Sequence, residues 1–168
     1  MMNAVNSLPI PSKAPDSSLR VLLVDDDEFI CEWLRTMLSD LGIETVHIAS
    51  NGQHALEIFA AAHPKPNLVL CDLCMPGMDG FQFLSKMAAQ SYRGDVAIIS
   101  GYDKEAPASA NWPLANYKAS ALHLAEKLAR VQGLRVRATL EKPISREKLA
   151  DLISVVNNRV NNITSLPQ

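Results

Sequence analysis

The 168-residue sequence lacks the long apolar segment that a membrane-spanning helix requires. No apolar run approaches the roughly 18 to 20 residues that cross a bilayer. The first 18 residues, MMNAVNSLPIPSKAPDSS, are polar and rich in Pro and Ser. They lack the basic start and apolar core of a signal peptide. We therefore expect a cytoplasmic protein with no membrane partner.

A strong excess of either charge is also missing. The chain has 16 Lys and Arg residues against 18 Asp and Glu residues, which leaves a formal net charge of -2. Proteins that bind nucleic acid need a basic field or a recognition motif, and we find neither. We expect no nucleic-acid partner. Hydrophobic residues make up 48% of the chain, enough for one globular domain of ordinary composition.

Cysteine is scarce, and the odd number of three does not fit a secreted disulfide framework. Cys71 and Cys74 form a CxxC pair, which is a redox site where the first thiol stands at a helix N-terminus. Here Cys71 ends an apolar run and Cys74 lies in a loop, and further zinc ligands are missing at suitable spacing. We interpret the pair as a buried cysteine beside a loop cysteine.

Strand-like and helix-like segments alternate five times along the chain. Continuous apolar runs such as RVLLV and LVLC are typical of strands that are covered on both faces. Alternation of this kind predicts an α/β domain with a parallel sheet and helices on both faces. The predicted strands are 20–24, 45–49, 68–71, 96–99 and 136–140, and the predicted helices are 28–41, 53–62, 81–90, a long interrupted stretch that ends at 132, and 145–161.

We divide the chain into three parts on this pattern. Residues 1–18 are predicted to be a flexible arm, residues 19–161 the domain, and residues 162–168 a C-terminal tail. In doubly wound sheets, ligands gather at the carboxyl ends of the strands. Polar side chains follow four of the five predicted strands. They are Asp25, Asp26 and Asp27 after the first strand, Asp72 after the third, Ser100 after the fourth and Lys142 after the fifth.

Carboxylates that converge in one crevice raise one another's pKa unless a cation lies among them. Oxygen ligands of this kind suit Mg²⁺ or Mn²⁺. The alternative for the DDD run is a solvated loop that caps the next helix through Asp27. Asp72 strengthens the metal interpretation, because a carboxylate can attack phosphorus and form an acyl phosphate while a metal offsets the charge.

Two further groups are able to hold the phosphoryl oxygens, the ammonium of Lys142 and the hydroxyl of Ser100. Pro143 restricts the backbone after Lys142, and Gly101 leaves room for a donor to approach beside Ser100. Taken singly, a surface lysine and a strand-end turn residue are the plain alternatives. Jointly these alternatives explain the pattern poorly.

Four segments, VLLVDDDE, LVLCDLCMPGMDG, AIISG and LEKPI, occur in this order and resemble the signature segments of the receiver domain of two-component response regulators. The resemblance covers about residues 19 to 161. It implies a flavodoxin-like fold, with a five-stranded parallel sheet of order 2-1-3-4-5, as in chemotaxis regulators. It also implies a phosphorylation-controlled switch rather than a turnover enzyme. The phosphoryl donor would be a sensor histidine kinase or a histidine phosphotransfer protein, and the downstream protein or output domain is unknown.

The same resemblance implies a role for each matching residue. Asp72 would be the phosphoacceptor, with Asp26 as a direct metal ligand and Asp25 acting mostly through water. Asp72 and the backbone carbonyl of Cys74 would complete the protein ligands of Mg²⁺ or Mn²⁺. The groups that stabilise the phosphoryl oxygens and work the switch would be Ser100, Gly101 and Lys142, with Pro143 as a positioning residue.

The sequence departs from the family pattern in two places. Receivers commonly carry Tyr or Phe three residues before the lysine, where this chain has Thr139. The span from Ser100 to Lys142 is also longer than in an ordinary receiver. The extra segment, about 106–121, contains Trp112 and Tyr117. SGYDKE, the long helix that follows it and GLRVRATLEKP resemble receivers that precede EAL-type phosphodiesterase domains. With Thr139, these aromatics are candidates for an output or homodimer surface, and the alternative is that they cover the lengthened helix.

Two other functions stay open from the sequence. A phosphatase of the haloacid dehalogenase-like type also uses an Asp nucleophile and Mg²⁺, but it carries a DxDx[TV] motif after its first strand. Here the first strand ends in DDDE. A receiver that binds its partner constitutively, without phosphorylation, is the other alternative, and Thr139 keeps it open.

Overall fold

The computed structural model of the protein describes residues 18–101 and 114–164. Strands and helices alternate along this part of the chain, and all strand pairs are parallel. The elements are β1 (Arg20–Val24), α1 (Glu28–Asp40), β2 (Thr45–Ala49), α2 (Gly52–Ala61), β3 (Leu68–Asp72), α3 (Gly80–Ala89), β4 (Asp95–Ser100), α4 (Leu114–Val131), β5 (Arg135–Glu141) and α5 (Arg146–Thr164). The sheet order β2-β1-β3-β4-β5 confirms the predicted fold class.

The two faces of the sheet carry two apolar clusters. Successive side chains of β1 alternate between them, since Leu22 belongs to the cluster with α3 and α4 and Leu23 to the cluster with α1 and α5. Both leucines are fully buried, and each contributes about 1.5 to 3 kcal/mol by leaving water. Every residue of β3 is buried, because this strand lies at the centre of the sheet. The continuous apolar runs in the sequence reflect this double coverage.

Polar side chains begin the first three helices. Asp27 accepts hydrogen bonds from the N–H groups of Phe29 (3.0 Å) and Ile30 (3.2 Å) at the start of α1. Asn51 and Asp79 cap α2 and α3 in the same way. The helix-capping interpretation of Asp27 is therefore correct for this one of the three adjacent aspartates, which leaves Asp25 and Asp26 available for other contacts.

A β-bulge interrupts the pairing of β4 with β5. Val96 pairs with Val136 but Ala97 pairs with Ala138, so Arg137 is an extra residue in β5. The bulge changes which face each later residue of β5 occupies. Val136 belongs to the α4 side of the sheet, whereas Leu140 belongs to the α5 side.

Several element ends differ from the sequence prediction. The predicted end of the last helix, residue 161, is three residues before the observed end of α5 at Thr164. Val160 packs partly against the apolar cluster and Arg159 is ion-paired to Asp95, and both contacts hold the last turns of α5 to the sheet. β4 and β5 are also longer than predicted, with Asp95 and Arg135 inside the strands.

Part of the predicted insertion, residues 106–113 with Trp112, lies outside the described residues. Tyr117 lies within the backbone of α4, but its side chain is outside the described part. Within the described residues, none of the helices combines the length and apolar character needed to cross a membrane.

Candidate functional site

Three aspartates come together at the carboxyl end of the sheet. Asp25 follows β1, and its backbone N–H extends the ladder by donating to the carbonyl of Ala49 in β2 (3.0 Å). Asp72 is the last residue of β3, the neighbour of β1. One carboxylate oxygen each of Asp25, Asp26 and Asp72 lies within 4.8 Å of the other two. Asp25 and Asp72 are buried and Asp26 is exposed, so the cluster has one open side.

Lys142 contacts this cluster from the end of β5. Its backbone N–H donates to the carbonyl of Ser100 (2.8 Å), which brings the end of β5 level with the end of β4. Its ammonium lies 2.6 Å from Oδ2 of Asp25 and 2.9 Å from Oδ2 of Asp72. The next peptide bond, Lys142-Pro143, is cis. A single ammonium group thus contacts two carboxylates that belong to two different strands.

The pKa values follow from burial and from these contacts. Burial raises the pKa of Asp25 above its ordinary value, and the nearby Asp72 adds to this effect. The contacts with Lys142 and the backbone N–H of Asp27 act in the opposite direction without cancelling it. Burial lowers the pKa of Lys142, but its hydrogen bonds to Asp25 and Asp72 outweigh burial, and the pKa rises above its ordinary value. Lys142 is therefore a cation at neutral pH.

The acidic cluster also fits a divalent cation with hard, oxygen-preferring chemistry. Mg²⁺ binds oxygen at about 2.0 to 2.1 Å, so two direct ligands are at most about 4.2 Å apart. The separations within 4.8 Å are close to this limit, which fits direct ligation by some of the carboxylates and a water bridge to another. Two of the carboxylates are almost completely removed from water, and positive charge beside them offsets their repulsion.

The other predicted site residues lie at the same end of the sheet as Asp72 and Lys142. The backbone N–H of Cys74 donates to Oδ1 of Asp72 (3.2 Å), and the Cys74 side chain is exposed. Ser100 is half-buried at the end of β4. A Cβ atom on Gly101 would lie 3.3 Å from Cδ of Lys142, so glycine at this position gives the lysine stem room to reach the carboxylates.

Two features of the site were missed by the sequence analysis. A Cβ atom on Gly80 would overlap the carbonyl oxygen of Asp72 and Cα of Leu73, so the start of α3 packs directly on the backbone beside the predicted phosphoacceptor. The Gly80 N–H donates to the carbonyl of Leu73 (3.1 Å). The Cys31 thiol lies 3.4 Å from the carbonyl oxygen of Asp25. Burial raises the pKa of this thiol to about 12. The only sequence signal for Gly80 was its place directly after the capping residue Asp79.

Among the residues predicted for the output surface, Thr139 is the one whose side chain the structure describes. Thr139 is half-buried in β5 and pairs with Ile98. It alternates with Ala138 and Leu140, which belong to the α5 side, so Thr139 lies on the α4 side of the sheet. Cys71 is buried and Cys74 exposed, which confirms the interpretation of the CxxC pair.

The model of the response regulator receiver domain family matches residues 21–113, more than half of the chain. The matched region includes Asp25, Asp26, Asp72 and Ser100 but ends before β5. The position of Lys142 next to Asp72 is therefore supplied by the structure and not by this match.

Among curated proteins, the chain is similar to the regulatory protein AtoC of Escherichia coli, with 40% identity over 83 residues. This region is 49% of the chain and 17% of AtoC, so the chain corresponds to a small part of that relative. The chemotaxis protein CheY of Treponema pallidum is 34% identical over 98 residues, which cover 58% of the chain and 68% of CheY.

Solved structures share the same fold. A response regulator from Colwellia psychrerythraea superposes with a TM-score of 0.63 at 29% identity, over 84% of this chain and 98% of that one. CheY in the CheX-CheY-BeF3-Mg²⁺ complex from Borrelia burgdorferi superposes with a TM-score of 0.63, over 82% and 88% of the two chains. At 24% identity, this second likeness concerns the fold alone.

Proposed function

The chain belongs to the family of response regulator receiver domains, and on this premise we propose that Asp72 accepts a phosphoryl group in a magnesium-dependent reaction. The observation that carries the proposal is the position of the Lys142 ammonium, which contacts both Asp25 and Asp72 beside exposed Asp26 in the same acidic cluster. This arrangement provides a nucleophile, an acidic pocket for a cation and a positive charge for the incoming phosphoryl group within one crevice.

In the proposed reaction, a carboxylate oxygen of Asp72 forms a bond to phosphorus while the bond from phosphorus to the donor's imidazole nitrogen breaks. The imidazole leaves with the electron pair of that bond and takes up a proton. The products are an acyl phosphate on Asp72 and a free histidine on the donor. The Lys142 ammonium binds one phosphoryl oxygen, and the Ser100 hydroxyl donates a hydrogen bond to another.

Mg²⁺ would be held directly by Asp26, Asp72 and the backbone carbonyl of Cys74, and by Asp25 mostly through water. When bound, it offsets the negative charge of the carboxylates and of the phosphoryl group. The donor is proposed to be a sensor histidine kinase or a histidine phosphotransfer protein, and hydrolysis of the acyl phosphate returns the chain to its starting state. The modified chain would act by binding another protein rather than by turning over a separate substrate.

The direct test is the mass of the intact protein after incubation with Mg²⁺ and acetyl phosphate. We expect an adduct of about 80 Da, since one phosphoryl group replaces one proton. The adduct should be absent from Asp72→Ala and present in Asp40→Ala, a matched control in which an exposed aspartate at the end of α1 is removed. Hydroxylamine should remove the adduct, because it cleaves acyl phosphates and leaves phosphate esters of Ser or Thr intact.

Three outcomes would argue against the proposal. The first is no adduct at saturating donor and Mg²⁺ in a protein that is folded by circular dichroism. The second is an adduct that persists in Asp72→Ala. The third is steady phosphate release from many small phosphate esters, which would favour the alternative of an Asp-dependent phosphatase.

A further inference from the structure

A second charged cluster lies at the amino end of β4, at the opposite end of this strand from Ser100. Asp95 is its centre and is completely buried. The guanidinium of Arg137 donates to Oδ1 of Asp95 (2.8 Å), and that of Arg159 in α5 donates to Oδ2 (2.5 Å). Two arginines from β5 and α5 therefore use both oxygens of one carboxylate.

A third arginine, Arg135, lies near this carboxylate but makes no hydrogen bond to it. Nε of Arg135 is 3.7 Å from Oδ1 of Asp95, which is an ion-pair distance but too long for a hydrogen bond. Nε and Nη2 of Arg135 are removed from solvent and have no hydrogen-bond partner among the described residues. The hydroxyl of Tyr92, a residue that is 8% exposed, is equally without a partner in this part of the chain.

These orphan groups share one electrostatic environment. Burial lowers the pKa of Arg135, and the nearby Arg159 and Arg137 add to this effect. Asp95 is the one carboxylate among the groups that shift this pKa, and three arginines around it leave two formal positive charges in excess. Burial and the nearby Asp95 raise the pKa of Tyr92 above its ordinary value, and Arg135 and Arg159 act in the opposite direction. The Tyr92 hydroxyl is therefore influenced by the same charges.

A buried donor without an acceptor costs about 1 to 3 kcal/mol, and more for a charged group. The unpartnered guanidinium atoms are donors, and the surrounding charge is positive. The chemistry of the cluster therefore calls for an additional acceptor that carries negative charge. The excess of two positive charges favours a dianion over a single carboxylate, and the planar guanidinium fork matches the oxygens of a phosphoryl group.

We propose that Arg135, Arg137 and Arg159 form a binding site for a phosphoryl dianion, either inorganic phosphate or the phosphate of a small monoester. This site lies at the amino end of β4, at the opposite end of the sheet from Asp72. The side chains of these arginines are 38%, 32% and 23% exposed, so the cluster opens to solvent above buried Asp95. In the proposed complex, Arg135 donates to the anion through the two nitrogen atoms that have no partner among the described residues, while Arg137 and Arg159 keep their contacts with Asp95.

The β5 bulge is part of the geometry of this site. Arg137 is the extra residue of the bulge. It follows two positions after Arg135, which pairs with Asp95. Arg135 and Arg137 both lie within ion-pair distance of the same oxygen, Oδ1 of Asp95, at 3.7 Å and 2.8 Å. The site is about 16 Å from the end of β4 that faces Asp72, given a rise of about 3.3 Å per residue from Asp95 to Ser100. It is thus a separate site from the proposed phosphorylation site.

The arginine Nε–H signals in ¹H–¹⁵N NMR spectra provide a direct test. We expect inorganic phosphate, added at constant ionic strength with EDTA present, to cause saturable shifts of the Arg135, Arg137 and Arg159 signals. EDTA keeps the acidic cluster free of metal, so that its negative charge repels phosphate. Arg135→Gln should weaken the binding at least about tenfold, which is the loss of roughly one charge-assisted hydrogen bond.

The matched control is Arg35→Gln, which removes an exposed arginine of α1 that pairs with Glu32 at 3.4 Å. This variant and Asp72→Ala should bind phosphate as the wild type does, so failure of the phosphorylation proposal is distinguishable from failure of this one. Tighter binding of adenosine monophosphate than of inorganic phosphate identifies a monoester as the ligand, and the reverse order identifies free phosphate. The proposal is overturned if no saturable shift occurs, if Arg135→Gln binds normally, or if acetate binds as tightly as phosphate.

Discussion

Replacement of Lys142 by methionine tests the electrostatic balance of the acidic cluster. The ammonium group lies 2.6 Å from Asp25 and 2.9 Å from Asp72. It therefore competes with a cation for the same carboxylates and repels any cation bound to them. In the phosphorylated state its effect is reversed, because it neutralises a phosphoryl oxygen. We expect Lys142→Met to bind Mg²⁺ more tightly and to be phosphorylated less.

The size of the gain follows from Coulomb's law. Two unit charges 4 Å apart interact by about 1 kcal/mol in water and about 4 kcal/mol at an effective dielectric constant of 20. The Lys142 side chain is 15% exposed and Asp26 opens the cluster to water, so the interaction lies between these limits. After allowance for the desolvation that Mg²⁺ itself requires, we expect a gain of about 1 to 2 kcal/mol, or roughly 5- to 30-fold in affinity.

Isothermal titration calorimetry with Mg²⁺ at neutral pH and fixed ionic strength measures the affinity, and intact mass after incubation with acetyl phosphate measures phosphorylation. The matched control is Lys148→Met, which makes the same substitution at an exposed position of α5. This control should change neither quantity. Methionine retains the length of the lysine stem beside Gly101, so a change is due to the charge rather than to lost packing.

The reasoning would be refuted by either of two results. If Lys142→Met binds Mg²⁺ tenfold more weakly than the wild type, the ammonium supports the metal site instead of competing with it. If the variant accumulates the same amount of adduct at the same rate, Lys142 does not stabilise the incoming phosphoryl group.

Two further predictions concern stability. Because the pKa of Lys142 is raised above its unfolded value of 10.5, its contribution to the free energy of unfolding should be fully present below that pH and lost as the pH rises through the folded value. Urea titrations of the wild type and Lys142→Met from about pH 8 to pH 12 should show a difference that shrinks only above about pH 10.5, and a difference that grows in this range would contradict the sign. Gly80→Ala should lower the free energy of unfolding by about 1 to 3 kcal/mol, because the added Cβ overlaps the Asp72 carbonyl. If urea titration shows that the free energy of unfolding falls by less than about 0.5 kcal/mol, α3 moves away from the Asp72 backbone at little cost.

Much of the fold could be predicted from local patterns. The bounds of β1 and β2 in the structure are those expected from the sequence, and α1 begins at the expected residue. These elements are short apolar runs or amphipathic segments with a clear start or stop, such as Asp27 before α1 and Gly42 after it. Gly42 adopts a positive φ of 82°, a backbone conformation that favours glycine at a helix end.

The ends of β4 and β5 could not be predicted in this way. Asp95 and Arg135 are charged, and a local pattern places such residues outside a buried strand. Asp95 is completely buried nevertheless, because Arg137 and Arg159 supply hydrogen bonds to both of its oxygens. The partners lie 42 and 64 residues away in the chain, so no local window contains the compensation.

By itself, the sequence determined which chemical groups follow which strands, since apolar periodicity locates the strands and parallel strands end at one edge of the sheet. It therefore placed Asp25, Asp72 and Lys142 at a common edge. Only the tertiary structure decided that one ammonium contacts both carboxylates, because Lys142 is 70 residues from Asp72 and its approach depends on the pairing of β5 with β4. The pairing of β5 with β4 and the packing of α5 together decided that three arginines surround one buried aspartate. Distances between side chains from separate elements arise from packing, and packing is not contained in any single segment.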